Sequence, residues 1–237
     1  IVTKHVAAEK SKENDKEPTN DKLQRIVNLF SKGQLSDVLE QVKIMLKEFP
    51  NSVNLYNIAG AANAGLQQYE AAINSYQNAL QIKPDFAEAH NNMGITYRDK
   101  GDLEAAIESY KVGINIDPNF AEAQNNLGNA LKEKGDLQAA LISYKKAIKI
   151  KPSFAEAHNN MGNTYRMTGE WDSAIRSYKK AVKIKPDYAL AFFSMGITFQ
   201  EKDEFDSAIK CFNKTIAFTP LDSKAHFNMG FSLQKTG

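Results

Sequence analysis

The fold is decided by residues 87–120, which read AEAHNNMGITYRDKGDLEAAIESYKVGINIDPNF, and by the stretch that follows them. Residues 121–154 read AEAQNNLGNALKEKGDLQAALISYKKAIKIKPSF, which has the same length and matches at many positions. A fixed period between about 20 and 50 residues is the signature of a repeat protein. The chain is therefore predicted to be an array of small units and not one ordinary globular core.

Proline and glycine extend this period along the chain. Both recur every 34 residues, and Pro18 is the one proline outside the series. The repeating prolines are Pro50, Pro84, Pro118, Pro152, Pro186 and Pro220. The repeating glycines are Gly60, Gly94, Gly128, Gly162, Gly196 and Gly230.

Each period predicts two antiparallel helices. In residues 87–120, apolar residues three or four apart indicate one helix over 87–100 and a second over 103–116. Gly101 suits the left-handed conformation that ends the first helix. Pro118 ends the second helix, because the residue before a proline avoids the helical region. One hairpin cannot bury its own apolar face, so neighbouring hairpins are expected to stack.

A helix–turn–helix of this period, with glycine, alanine, an aromatic residue and proline at fixed places, resembles the tetratricopeptide repeat. The resemblance covers about nine-tenths of the chain. It implies an all-α fold, a right-handed α-solenoid or superhelix of antiparallel helix pairs. The chain is also similar to the repeat arm of the peptide O-linked N-acetylglucosamine transferases and of bacterial transferases with such repeats.

The period divides the chain into eight expected segments. Residues 19–52 are a degenerate repeat, because Ile26 and Val38 stand where later repeats have glycine and alanine. The start at Ile1 and the end at Gly237 suggest a fragment of a longer protein. The segments are 1–18, a polar N-terminal tail; 19–52, repeat one; 53–86, 87–120, 121–154, 155–188 and 189–222, repeats two to six; and 223–237, the first helix of a truncated repeat seven.

The charge balance narrows the expected partners. The chain has 30 basic and 28 acidic residues and a net charge of +2, which gives no electrostatic reason to expect nucleic acid or an anionic membrane. No stretch approaches the roughly 18 apolar residues of a membrane span. Cys211 is the one cysteine, so no intrachain disulfide forms. Without a signal-peptide pattern, a cytoplasmic location is expected.

In the family that the chain resembles, the first helix of each repeat lines a concave groove. Asparagine holds the sixth place of several repeats, and a column of amides can donate to and accept from the backbone of an extended peptide. Ile58 and Ser194 interrupt this column. Alternatively, the asparagines solvate the helix face or bond to a neighbouring repeat. The implied partner-binding residues are Asn91, Asn92, Arg98, Asn125, Asn126, Asn129, Lys132, Asn159, Asn160, Asn163, Arg166, Phe193 and Asn228.

The function expected from this pattern is a non-enzymatic scaffold that binds a protein or an extended peptide and needs no cofactor. An alternative is a substrate-docking arm of a larger enzyme, a glycosyltransferase or a sulfotransferase, with its catalytic domain beyond residue 237. A third possibility is self-association through the uncapped last helix and a patch of Phe193, Phe227 and Phe231.

Other residues suggest chemistry but are interpreted as structural. His90, His158 and His226 share the fourth place of alternate repeats. Packed helices lie about 8–10 Å apart, too far for a shared metal ion, so these rings are predicted to pack between repeats. Trp171 is predicted to lie in the core, because its place in the repeat is apolar elsewhere.

Two further interpretations concern the surface and the turns. The lysine runs at 145–151 and 179–185 are read as a solvated face, in preference to an RNA-binding surface. Gln67 and Asp203 replace the turn glycine. Aspartate tolerates positive φ better than most residues, so a local backbone adjustment is expected at Gln67 alone.

Overall fold

The structure is a computed structural model that describes residues 17–237. Most of the polar tail predicted at 1–18 lies outside the described residues. All regular structure from residue 17 onward is α-helical, which confirms the all-α prediction. The helices are α1 (Asn20–Ser31), α2 (Leu35–Glu48), α3 (Val53–Gly65), α4 (Tyr69–Ile82), α5 (Ala87–Lys100), α6 (Leu103–Ile116), α7 (Ala121–Lys134), α8 (Leu137–Ile150), α9 (Ala155–Met167), α10 (Trp171–Ile184), α11 (Ala189–Glu201), α12 (Phe205–Phe218) and α13 (Ser223–Thr236).

The turn between α5 and α6 shows why the chain folds into hairpins. The helices have the bounds that the sequence predicts, 87–100 and 103–116. Gly101 ends α5 in the left-handed conformation with φ of 94°. Asp102 then caps α6, because its carboxylate accepts a hydrogen bond from the backbone N–H of Ala105 at 3.0 Å.

The same turn is left-handed even where glycine is missing. Gln67 and Asp203 both have φ of 59°. The prediction of a local backbone adjustment at Gln67 is therefore wrong. The stacked hairpins hold the turn in one conformation, so Gln67 is kept at a strained φ.

The chain divides into two compact units, residues 1–118 and 119–237. The described part of the first unit contains α1 to α6, and the second contains α7 to α13. The first unit has an aliphatic core cluster of Ile26, Val38, Val42, Leu55, Ala59 and Ala62. In the second unit, Ala174, Ile175, Tyr178, Met195 and Cys211 form a core cluster.

Inside each hairpin a glycine of the first helix lies against an aromatic ring of the second. A Cβ built on Gly94 would lie 2.7 Å from Cε1 of Tyr110, which is fully buried. Repeat one replaces this pair by Ile26 and Val42, both buried, so a larger residue in the glycine place is matched by a smaller one in the ring place. The other close pairs are Gly60–Tyr76, Gly128–Tyr144, Gly162–Tyr178 and Gly196–Phe212.

Cys211 and Trp171 are both predicted to be buried, but only Cys211 is. Cys211 is buried, as expected for a packing residue, and burial raises its pKa to about 11. Trp171 is 40% exposed, so its assignment to the core is wrong. Trp171 is the first residue of α10, and the next residue, Asp172, pairs at the surface with Lys202.

Candidate partner-binding face of the first helices

The predicted asparagines differ in how far a partner could reach them. Those in the fifth place of repeats three to five are buried, whereas those in the sixth place are half-buried. Of these two places, only the sixth is therefore accessible to a partner. The buried residues are Asn91, Asn125 and Asn159, and the half-buried ones are Asn92, Asn126 and Asn160.

Two sixth-place asparagines donate a hydrogen bond to the preceding repeat. In the first unit, Nδ2 of Asn92 donates to Oδ1 of Asn57 at 3.1 Å. In the second unit, Nδ2 of Asn160 donates to Oδ1 of Asn125 at 3.0 Å. Hydrogen bonding to a neighbouring repeat, the alternative role for these asparagines, is thus observed at both positions. Each bond uses one of the two amide N–H groups and fixes the side chain's orientation.

Asn57 is a residue that the sequence analysis missed. It holds the fifth place of repeat two, as Asn91 does in repeat three. This shared place was the available signal. The sixth place of repeat two is Ile58, so the column of asparagines that drew attention to the later repeats does not continue beside Asn57.

The series of amide pairs breaks between repeats five and six. Asn159 is only 1% exposed, and its Oδ1 has no hydrogen-bond partner within residues 17–237. The position that would supply its donor is Ser194, as the interruption in the sequence pattern indicates. A buried acceptor without a donor destabilises the folded state.

The ninth-place asparagines connect the two helices of their own hairpin. Oδ1 of Asn129 accepts a hydrogen bond from the hydroxyl of Tyr144, and Oδ1 of Asn163 accepts one from Tyr178, each at 2.8 Å. Burial raises the pKa of Tyr178 to about 12, so its hydroxyl remains a donor at neutral pH. These amides therefore have a structural role, and contact with a partner stays a prediction for them.

Two of the three predicted cations of the face, Arg98 and Arg166, are held by carboxylates. Nη1 of Arg166 lies 2.6 Å from Oε1 of Glu201 one repeat later. Nη2 of Arg98 lies 2.9 Å from Oδ1 of Asp99, and Lys132 is half-buried. Exposed ion pairs add little stability, but these pairs limit where the guanidinium groups can point.

The predicted residues near the C-terminal helix pack in part against neighbours. Phe193 is half-buried, with its ring centroid 5.8 Å from that of Phe212. Nδ2 of Asn228 donates to the carbonyl of Lys224 at 2.8 Å. Phe227 is 75% exposed, and self-association through this region stays a prediction.

The fourth-place histidines bond to the turn before their own helix. Nε2 of His158 lies 3.3 Å from the carbonyl of Pro152, and Nε2 of His226 lies 2.9 Å from that of Pro220. Desolvation lowers the pKa of His158, against the effect of the Pro152 bond. Among residues 17–237 no group of three or more His, Cys, Asp and Glu side chains could hold a metal ion.

None of the helices from α1 to α13 is both long and apolar enough to cross a membrane.

The chain is similar to short parts of larger curated proteins. It is 31% identical over 74 residues to the probable UDP-N-acetylglucosamine–peptide N-acetylglucosaminyltransferase SEC of Arabidopsis thaliana. It is 29% identical over 72 residues to the peroxisomal targeting signal receptor of Saccharomyces cerevisiae. These matches cover 31% and 30% of this chain and only 8% and 12% of the relatives, so the chain spans about a tenth of their length.

Three solved structures share the fold. The MamA structure has 32% identity and a TM-score of 0.63, covering 70% of this chain and 96% of that one. YrrB, described as a TPR protein with an unusual peptide-binding site, has 20% identity and a TM-score of 0.61, covering 78% and 96%. The Cut9–Hcn1 complex has 17% identity and a TM-score of 0.75, covering 90% and 42%. The last two show the fold alone.

A family model described as TPR repeat matches residues 60–97, 96–135, 128–169 and 162–203. Together these matches extend over 60–203, which is more than half of the chain. With the helix pairs and the close glycine–aromatic contacts described above, they show that the chain belongs to the TPR repeat family.

Proposed function

We propose that the chain is a protein-interaction scaffold whose first helices hold an extended segment of a partner protein through side-chain amides. Asn92, Asn126 and Asn160 supply the amides, and the flanking arginine, lysine and glutamate side chains add further polar contacts. Membership of the TPR family supports an interaction role. So does similarity over 72 residues to a peroxisomal targeting signal receptor.

The hydrogen bond from Asn160 to Asn125 carries the proposal. It holds the Asn160 amide in one orientation on a half-buried surface. The second N–H of Nδ2 and the side-chain oxygen Oδ1 make no hydrogen bond among the described residues. An oriented amide loses less side-chain freedom when a ligand binds. It can donate to and accept from one peptide unit, which favours an extended backbone as the ligand.

The test separates the accessible amide from its buried support. Peptides are selected on the whole chain from a random library, and their affinities are measured for the wild type, Asn160→Ala and Asn125→Ala. Asn160→Ala removes the accessible amide. Asn125→Ala removes the inter-repeat hydrogen bond but no side chain that a ligand could reach, because Asn125 is only 7% exposed. We expect about a tenfold loss for Asn160→Ala and a smaller loss for Asn125→Ala.

Equal losses of affinity for the two variants would show that the hydrogen bond between Asn160 and Asn125 matters only for the fold. Unchanged binding by Asn160→Ala would place the ligand elsewhere. Backbone recognition also predicts that most alanine substitutions in a selected peptide change its affinity little. A peptide whose binding depends on a single side chain would contradict this mode of recognition.

A second proposal is that the repeats are a substrate-docking arm of a larger enzyme. It is favoured by the similarity to the probable N-acetylglucosaminyltransferase of Arabidopsis thaliana over 74 residues. The coding sequence downstream of Gly237 tests it directly. A glycosyltransferase domain in the same reading frame would support this role, and a stop codon or an unrelated domain would contradict it.

A further inference from the structure

A cavity of about 180 Å³ opens between α9 and α10 in the second unit. None of its lining residues belongs to the proposed groove, because they hold other positions within the repeat. The lining has no acidic residue and one aromatic ring. Its residues are Met161, Tyr165, Ser173, Arg176, Ser177 and Lys180.

Three positive charges surround this cavity. Arg176 and Lys180 are four residues apart on α10, so they share one face of the helix, and both are exposed. From α8, Nζ of Lys145 lies 5.9 Å from the ring centroid of Tyr165. Like charges at this helical spacing are unfavourable for folding, so the stability of the helix alone does not account for the cluster.

The neighbouring carboxylate of Asp172 is engaged with another cation. Asp172, one turn before Arg176, pairs with Lys202 at 2.7 Å. The hydrogen bond from Lys202 is the main reason why the pKa of Asp172 is lowered, and Arg176 contributes least. Arg176, Lys180 and Lys145 have no ion-pair partner among residues 17–237. The cavity therefore concentrates positive charge that no ion pair within this part of the chain neutralises.

The cavity also offers oriented hydrogen-bond donors. Nη2 of Arg176 donates to Oγ of Ser173 at 3.0 Å, which fixes the guanidinium and leaves its other N–H groups available. The Ser173 hydroxyl can itself donate, whereas Ser177 already donates to the Ser173 carbonyl at 2.8 Å. A planar guanidinium beside ammonium and hydroxyl donors matches the three oxygens of a phosphate monoester.

We propose that this cavity binds the phosphate group of a phosphorylated serine or threonine in a partner protein. The exposed lysines Lys146, Lys149, Lys179 and Lys183 on α8 and α10 would attract acidic residues that flank the phosphate. Single-stranded nucleic acid fits less well, because it needs successive stacking rings. Tyr165 is the one ring of the lining, and it is half-buried next to Lys145.

The test measures the affinity of the whole chain for a fluorescent glutamate-flanked phosphoserine peptide and for its unphosphorylated form. We expect the phosphate to improve binding by about tenfold or more. Arg176→Gln/Lys180→Gln should abolish that gain. The control Lys210→Gln/Lys214→Gln removes the same charge at the same places of the next repeat and should retain the gain. Thermal melts show whether both variants remain folded.

A second readout uses inorganic phosphate as the probe. NMR titration should shift the Nε–H signal of Arg176 in the wild type, and Asn160→Ala should shift in the same way, since the groove is separate. Equal affinity for the two peptides, or an equal loss in both charge variants, would overturn the proposal. So would tighter binding of a single-stranded RNA oligonucleotide or of phosphatidylserine vesicles through Arg176 and Lys180.

Discussion

Asn160 donates a hydrogen bond from its side-chain amide to Oδ1 of Asn125, 3.0 Å away in the preceding repeat. Asn159 holds the place of Asn125 one repeat later, but the donor position is Ser194 and the acceptor is unpartnered among the described residues. We expect Ser194→Asn to complete the pair and to raise the free energy of unfolding by about 1 kcal/mol. Urea denaturation measures this change.

The Asn159→Ala background is the control, because it removes the acceptor. Ser194→Asn should bring no gain there. An equal gain in both backgrounds would show that the new asparagine acts through other contacts.

Gly94→Ala is expected to lower the free energy of unfolding by about 1–3 kcal/mol, the usual cost of overpacking. The added Cβ would lie 2.7 Å from a ring atom of Tyr110, which is buried and cannot move away. Gly230 holds the same place of the repeat, with nothing within 4 Å of such a Cβ. Gly230→Ala should therefore stabilise the chain by about 0.5–1 kcal/mol, and similar effects of the two substitutions in thermal melts would contradict the steric explanation.

His158 is expected to make the fold sensitive to acid. Nε2 faces the Pro152 carbonyl, and Nδ1 is buried without a partner among the described residues. The folded-state pKa lies below the ordinary 6.5, chiefly because of desolvation. Above pH 6.5 the ring is neutral in both states; below it the unfolded chain takes up the proton first. Stability is thus lost as the pH falls toward the folded-state pKa.

His158→Gln tests this expectation, since Gln124 already holds the same place in repeat four. Urea midpoints measured between about pH 7 and pH 5 should fall less steeply for the variant than for the wild type. His226→Gln is the matched control, because His226 shares the place but is exposed. If both variants or neither altered the slope, burial of His158 would not be its cause.

Gln67→Gly is expected to stabilise the chain by about 0.5–1 kcal/mol, since glutamine is held at a φ of 59° that glycine adopts without strain. Asp203→Gly should gain less, because aspartate tolerates this region better. Gln68→Gly, at a φ of −87°, is the control and should not stabilise. A loss of stability in Gln67→Gly would mean that the glutamine side chain makes contacts that outweigh the strain.

The helices could be predicted from the sequence because their ends depend on local chemistry. Gly101 and Pro118 mark the ends of α5 and α6, and both helices have the expected bounds. The signals act within a few residues of each turn. These signals therefore do not depend on how one hairpin packs against the next.

The candidate site could be predicted only in part, because it depends on the offset between hairpins. The resemblance placed Asn125 and Asn160 together on the groove, but Asn125 is buried and accepts the bond that Asn160 donates. The sequence of a single repeat does not determine how one hairpin is placed on the next. The assignment of Trp171 to the core is wrong for a similar reason, since its place in the repeat does not determine how closely other side chains pack at the start of α10.

The contact of Gly94 with Tyr110 lies inside one repeat, whereas the bond from Asn160 to Asn125 joins two. A repeat that is duplicated or deleted as a block takes its glycine and its ring with it, so the interior of every hairpin survives. The hydrogen bond between the two side-chain amides survives only if the new neighbour carries a matching residue. Gene duplication can therefore lengthen such an array without redesigning its hairpins, and mutations that compensate for the change are needed only where one repeat meets the next.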